Sequence, residues 1–156
     1  MWETLFSITN LWALVGWAML ALLPRRPFVT SLVMYAVVGM LCLAYLAMFA
    51  GLLSGSVDPV ADANPGGGAV MSLGWVKALF DSEAGTVIGW THYLAFDLFV
   101  GLWIASDADR KGVHRAVQAP ILLMTLLAGP IGLLIWLALR EPAARRAARM
   151  GRSAGA

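Results

Sequence analysis

Long apolar runs separated by short clusters of proline, glycine and charge set the pattern of this chain. The first run, Leu5 to Leu23, is interrupted only by Ser7, Thr9 and Asn10 and stops at Pro24-Arg25-Arg26-Pro27. Two prolines around two arginines end a helix and hold it at the lipid headgroups. The second run, Phe28 to Leu53, carries no charge in 26 residues. At 1.5 Å per residue such runs match a hydrocarbon layer of ~30 Å, so both predict membrane-spanning helices. From Ser54 to Ser72 the residues turn to Gly, Pro, Asp and Asn; lipid does not satisfy the backbone of such a segment, and an aqueous loop is predicted. Leu73 to Asp81 then places Leu73, Val76, Leu79 and Phe80 on one helical side, which predicts a short interfacial helix with Trp75 at headgroup level.

The third span, Ala84 to Ala105, differs from the others because Trp90, His92, Tyr93, Asp97 and Trp103 lie within its apolar run. A charged turn, Ser106 to Ala119, leads to a fourth span from Ala119 or Pro120 to Leu139, with Pro120 in the first turn and a kink at Pro130. The pattern therefore predicts an all-α polytopic membrane protein. It has one transmembrane domain over residues 1–140, with four transmembrane helices and the interfacial helix before the third. A basic, unstructured tail follows over 141–156. Four spans put both termini on one side of the membrane. The positive-inside count is then six against five, with a lean toward cytoplasmic termini from the arginines clustered in the tail.

Composition agrees with the pattern: 60% of residues are hydrophobic, 13% are charged and the mean hydropathy is +0.78. A soluble domain carries roughly a quarter charged residues, so an ordinary soluble fold is excluded. The net charge of +2 is small and scattered, which argues against a nucleic-acid partner. Cys42, the single cysteine, leaves no intramolecular disulfide and no cysteine-based zinc site, and reads as a filler of the helix packing. Glu3 stands where a cleavable signal peptide has its positive end.

An ionisable group inside a bilayer normally faces a bundle interior or a wet cavity and has a partner there. Asp97 lies about 12 Å inside the nearer end of its span, and His92 lies at similar depth from the other end. At 100° per residue Tyr93 and Asp97 nearly stack, whereas His92 and Asp97 diverge by about 140°. Trp90, Tyr93, Asp97, Gly101 and Ile104 form one face, with His92 at its margin. That face predicts a pocket with aromatic walls and an acid at depth. His92 and Asp97 can equally serve as polar contacts between helices. Asn10 and Glu83 are the nearest other polar candidates, and antiparallel neighbours bring a cluster of Asn10, Glu83 and His92 within reach. Glu83, His92 and Asp97 are metal-ligand types, but their spacing matches no helical metal motif. Asp107 and Asp109, one residue apart, are either ligands for a cation on a diphosphate or a solvated turn. Gly85 and Gly89 form a GxxxG pair suited to close helix approach.

The run Gly89-Trp90-Thr91-His92-Tyr93-Leu94-Ala95-Phe96-Asp97-Leu98-Phe99-Val100-Gly101-Leu102-Trp103-Ile104 is followed by Asp107, Arg110 and Gly112 and then by Gly129-Pro130-Ile131-Gly132-Leu133-Leu134. It resembles the small membrane family named for the abscisic-acid-deficient-four protein of plants, whose members are called neoxanthin synthase-like. Asn10-Leu11-Trp12-Ala13-Leu14 with Pro24-Arg25 is similar as well. The resemblance covers most of residues 8–140. It implies an integral membrane protein of xanthophyll metabolism, in which the plant member is associated with converting an epoxide, violaxanthin, to the allenic neoxanthin. The first span begins almost at once, without a plastid transit segment, so the expectation is a bacterial inner-membrane relative with a different isoprenoid substrate.

Opening an epoxide needs an acid for the leaving oxygen, an anion or aromatic face for the developing cation, and a base for a proton. His92 and Asp97 supply the acid and base in either order, and no cofactor is required. Trp90, Tyr93 and Phe96 supply the aromatic wall, with Asn10 and Glu83 beside it. The expected ligand is a carotenoid or other isoprenoid seated between the third and fourth helices among membrane lipids, and a homo-oligomer is left open. The rivals are a non-catalytic binder or transporter and a structural subunit of another membrane enzyme.

Overall fold

A computed structural model of the protein describes residues 1–57 and 72–153, with side chains to residue 141. The described residues form helices and no strand. Helix α1 (Trp2–Leu22) occupies the first apolar run and ends before Pro24. Helix α2 (Pro27–Leu53) begins on its own proline, whose fixed φ suits a first helical turn. Its stretch Leu32–Val38 winds as a π-helix, a wider turn that periodicity does not reveal. Within that stretch the Ala36 carbonyl accepts the Trp12 indole N–H at 3.2 Å, tying α2 to α1. Cys42 is exposed on α2, not packed between helices as the sequence suggested. The membrane-spanning run is apolar all round, so the sequence alone does not mark which side faces inward.

The predicted aqueous loop lies for residues 58–71 outside the described residues. Helix α3 (Leu73–Asp81) coincides with the predicted short helix, and the Ser72 hydroxyl accepts the Trp75 N–H at 3.2 Å to start it. Helix α4 (Glu83–Arg110) follows after one residue, Ser82, whose hydroxyl accepts the Gly85 N–H at 2.9 Å. Gly85 and Gly89 serve this corner. A Cβ on Gly85 would lie 1.8 Å from the Leu79 carbonyl oxygen, and one on Gly89 would lie 2.5 Å from the Phe80 ring. The small-residue pair thus receives α3. Helices α1, α2 and α4 are each long and apolar enough to cross a membrane.

The predicted fourth span is two helices, α5 (Arg115–Leu127) and α6 (Gly129–Ser153). Helix α5 begins ahead of Pro120 because His114 Nδ1 accepts the Ala116 N–H at 3.2 Å and caps it. At Ala128 the backbone leaves the helical region, with φ −157° and ψ 80°. The chain then turns back. Gln118, near the start of α5, donates to Asp109 at the end of α4 at 2.8 Å, and Arg140 of α6 donates to Asp107 there, also at 2.8 Å. Gly129, between them in sequence, packs against Asp97, about 15 Å further along α4. The C-terminal segment is therefore a hairpin in place of the expected single crossing: the short α5 descends along α4 to Asp97, and α6 returns from there to Asp107 by Arg140 and continues beyond it. Pro130 lacks an N–H and its ring obstructs the carbonyl four residues back, which breaks the helix. Gly132 lets the two arms close, since a Cβ there would meet the Thr125 backbone nitrogen at 2.5 Å.

The largest fully buried side chains include Leu20, Leu41, Leu98, Ile104 and, from the returning arm, Trp136. The fold-back redistributes charge. Arg25, Arg26, Arg110, Lys111, Arg115 and Arg140 gather at one end, while Lys77 lies on α3 toward the other end, with Glu3, Asp81 and Glu83. The tail predicted to be unstructured from 141 continues α6 as helix to Ser153.

Candidate functional site at the hairpin turn

Asp97 stands in the middle of α4, inside its apolar run. The hairpin turn is delivered to this point. The carboxyl lies so close to the Gly129 backbone that a Cβ on Gly129 would sit 1.8 Å from Oδ1. Gly129 opens α6, and the next residue, Pro130, has no N–H to offer. The Ile131 and Gly132 N–H groups donate to the Ala128 carbonyl, so the Gly129 N–H and the positive dipole end of the helix are what face the carboxyl, which suits an acid there. The Tyr93 side chain approaches the same carboxyl from one turn earlier on α4. Asp97 is 8% exposed, and its Oδ2 has no hydrogen-bond partner among the described residues. A buried polar oxygen left unpartnered is costly, so it is the atom most in want of a donor in this part of the molecule.

Toward the N-terminal end of α4 the same face continues as aromatic surface. Trp90 stacks on Tyr93 with ring centroids 5.9 Å apart and lies 6.0 Å from Phe6 of α1. Its indole N–H donates to Asn10 Oδ1 at 3.0 Å, so Asn10 joins the third span through Trp90. Trp90 and Tyr93 are 42% and 37% exposed. They lie beyond the hairpin turn, which reaches α4 only as far as Asp97.

The other sequence-predicted residues stand elsewhere. His92 and Phe96 stack at 4.6 Å, and His92 lies 5.5 Å from Tyr45 of α2. This second aromatic patch is turned away from Asp97 by the divergence the helix imposes, and His92 and Asp97 are not brought together. Glu83 is exposed in a cleft of about 310 Å³ beside Glu3 and Asp81. It meets neither Asn10 nor His92 at the bonding distances found elsewhere in the site. Among the described residues no group of three or more His, Cys, Asp or Glu side chains is placed to hold a metal ion.

Asp107 is buried and Asp109 exposed, and both carboxylates are held by basic or amide side chains. Asp107 is 3% exposed and is held by Arg140 at 2.8 Å, Lys111 at 3.2 Å and Arg110 at 3.5 Å. Asp109 accepts from Arg25 at 3.0 Å and from Gln118 at 2.8 Å, and Arg25 also bonds the Gln118 carbonyl oxygen. Arg140 lies 5.8 Å over the Trp103 ring. These contacts lock both arms of the hairpin to the end of α4, which fixes the depth at which its turn meets Asp97. Sequence reasoning missed Gln118, Arg25 and Arg140 in this role. The available signal was the matched excess of acids and cations at the close of the third span.

The family model described as ABA4-like (ABA DEFICIENT 4-like) matches residues 4–136. No curated protein and no solved structure matches the chain.

Proposed function

We propose, because the chain belongs to the ABA4-like family over residues 4–136, that this membrane protein acts on a carotenoid or related isoprenoid and that Asp97 is the group its oxygenated end ring meets. The observation that carries the proposal is the buried carboxyl with an unpartnered oxygen, placed beside an exposed aromatic face at the hairpin turn. A long apolar molecule lies in the bilayer against Trp90 and Tyr93 and brings its end ring to Asp97. An epoxide is then isomerised without net redox change. Asp97 donates a proton to the ring oxygen and the C–O bond breaks. The tertiary cation faces the Tyr93 and Trp90 rings, which favour positive charge. The carboxylate then takes a proton from the adjacent carbon, giving an alcohol and a new double bond and restoring the acid.

One carboxyl acting twice needs no second titrating residue, so His92 on the other face is dispensable to this scheme. Phe96 and Glu83 take no direct part. The proposal places the protein in a bacterial inner membrane with its arginine-bearing end at the cytoplasm, the side that positive charge favours.

Pigment extracts from carotenoid-producing cells with and without the protein test this. An enzyme converts one pigment species into an isomer of the same mass. Unchanged species, with pigment retained on the purified protein, identifies a binder and overturns the catalytic proposal.

A further inference from the structure

Helices α1 and α5 both pack on α4 but leave a cleft of about 680 Å³ between them, away from Asp97. That volume is in the range of sites that hold one small molecule. Its walls run from Leu14 to Leu22 on α1, with Arg25 in the connection just beyond, and from Arg115 to Leu126 on α5, and Ala21 and Ala119 open its arginine end. The helical walls are about 12 Å long on α1 and about 16 Å on α5, about half of a hydrocarbon core of ~30 Å. The cleft is one leaflet deep because α5 is a half-length helix.

Its polar end is positive. Arg25 and Arg115 line it, and no acid does. The Arg25 guanidinium is engaged with Asp109 and Gln118. Arg115 is exposed and donates one N–H to the Leu23 carbonyl at 3.2 Å, and its other donors have no hydrogen-bond partner among the described residues.

We propose that this cleft seats one anionic phospholipid of the leaflet at the arginine end, with its phosphate on Arg115 and one acyl chain between α1 and α5. The apolar walls select the lipid over a free anion, because phosphate alone gains nothing from them. The arginine selects an anionic lipid over a zwitterionic one, by about fivefold for one basic residue at an anionic surface.

Purified full-length protein in mild detergent is incubated separately with phosphatidylglycerol, phosphatidylcholine and inorganic phosphate, and retained molecules are counted by native mass spectrometry. Phosphatidylglycerol is retained about fivefold over phosphatidylcholine. Arg115→Gln removes the preference, Arg115→Lys keeps it, and Ala119→Phe lowers retention of both lipids by filling the cleft. The wild-type preference stands as a test even if a variant fails to fold. Equal retention of the two lipids, a preference that survives in Arg115→Gln, or displacement of phosphatidylglycerol by inorganic phosphate overturns the proposal.

Discussion

Gly132→Ala probes the fold-back of α5 and α6 directly. In an unpacked helix this substitution gains about 1 kcal/mol, because alanine is the better helix former. In this hairpin the new Cβ would lie 2.1 Å from Thr125 Oγ1, 2.5 Å from its backbone nitrogen and 2.7 Å from its Cα. A hydroxyl can rotate away, but a backbone cannot, so the arms must separate. Overpacking of this kind costs about 1–3 kcal/mol. With backbone atoms as the obstacle we take the upper end, and the net loss is about 2 kcal/mol, a roughly thirtyfold change in the folded to unfolded ratio. Gly39→Ala is the control: the nearest atom to its new Cβ is the Met34 carbonyl oxygen at 3.8 Å, so the propensity gain is retained. Reversible unfolding in mixed detergent micelles, followed by tryptophan fluorescence, compares the two. Equal stabilisation by both substitutions would refute the closed hairpin and restore a continuous fourth crossing.

Three further expectations follow from the same geometry. Reporters placed after Lys111 and at the C-terminus read the same side of the membrane, and reporters at the N-terminus and near Gly67 read the other; opposite readings after Lys111 and at the C-terminus would require a fourth span. Trp136→Phe costs no more than about 1 kcal/mol, because the cavity left by the smaller ring is offset by removal of a buried indole N–H that has no partner among the described residues; a loss above about 3 kcal/mol in the same unfolding assay would mean that the N–H is bonded. Asp107→Asn releases Arg140 and Lys111, so hydrogen exchange rises along the returning arm and stays unchanged in α1; a uniform rise would show that the clamp does not act on the hairpin alone.

The three long spans and the short α3 were legible because each depends on local facts: run length, a capping serine, a proline at an end. The hairpin was not legible. Gly129-Pro130 announces a break, but a kinked crossing and a reversal begin from the same broken helix. What decides between them is nonlocal: Arg140 reaching Asp107, Gln118 reaching Asp109, and Gly132 admitting Thr125. Helical spacing grouped Trp90, Tyr93 and Asp97, as the structure has them, but kept His92 at the margin of that face as the partner of Asp97, whereas His92 stacks on Phe96 toward Tyr45. It did not show that the Asp97 face would be met by a helix start, because α6 was expected to pass that depth without ending there.

The central claim is that the Asp97 carboxyl at the hairpin turn does the chemistry. Membranes from a carotenoid-producing host carrying wild type, Asp97→Asn or His92→Ala, matched for protein amount, test it through the rate at which the isomerised pigment appears. Loss of a general acid costs about 10²–10⁴ in rate, so Asp97→Asn falls by that factor while His92→Ala keeps the wild-type rate. A folded, well-expressed Asp97→Asn protein that converts pigment at the wild-type rate would contradict the account and leave Asp97 as the cap of the returning helix.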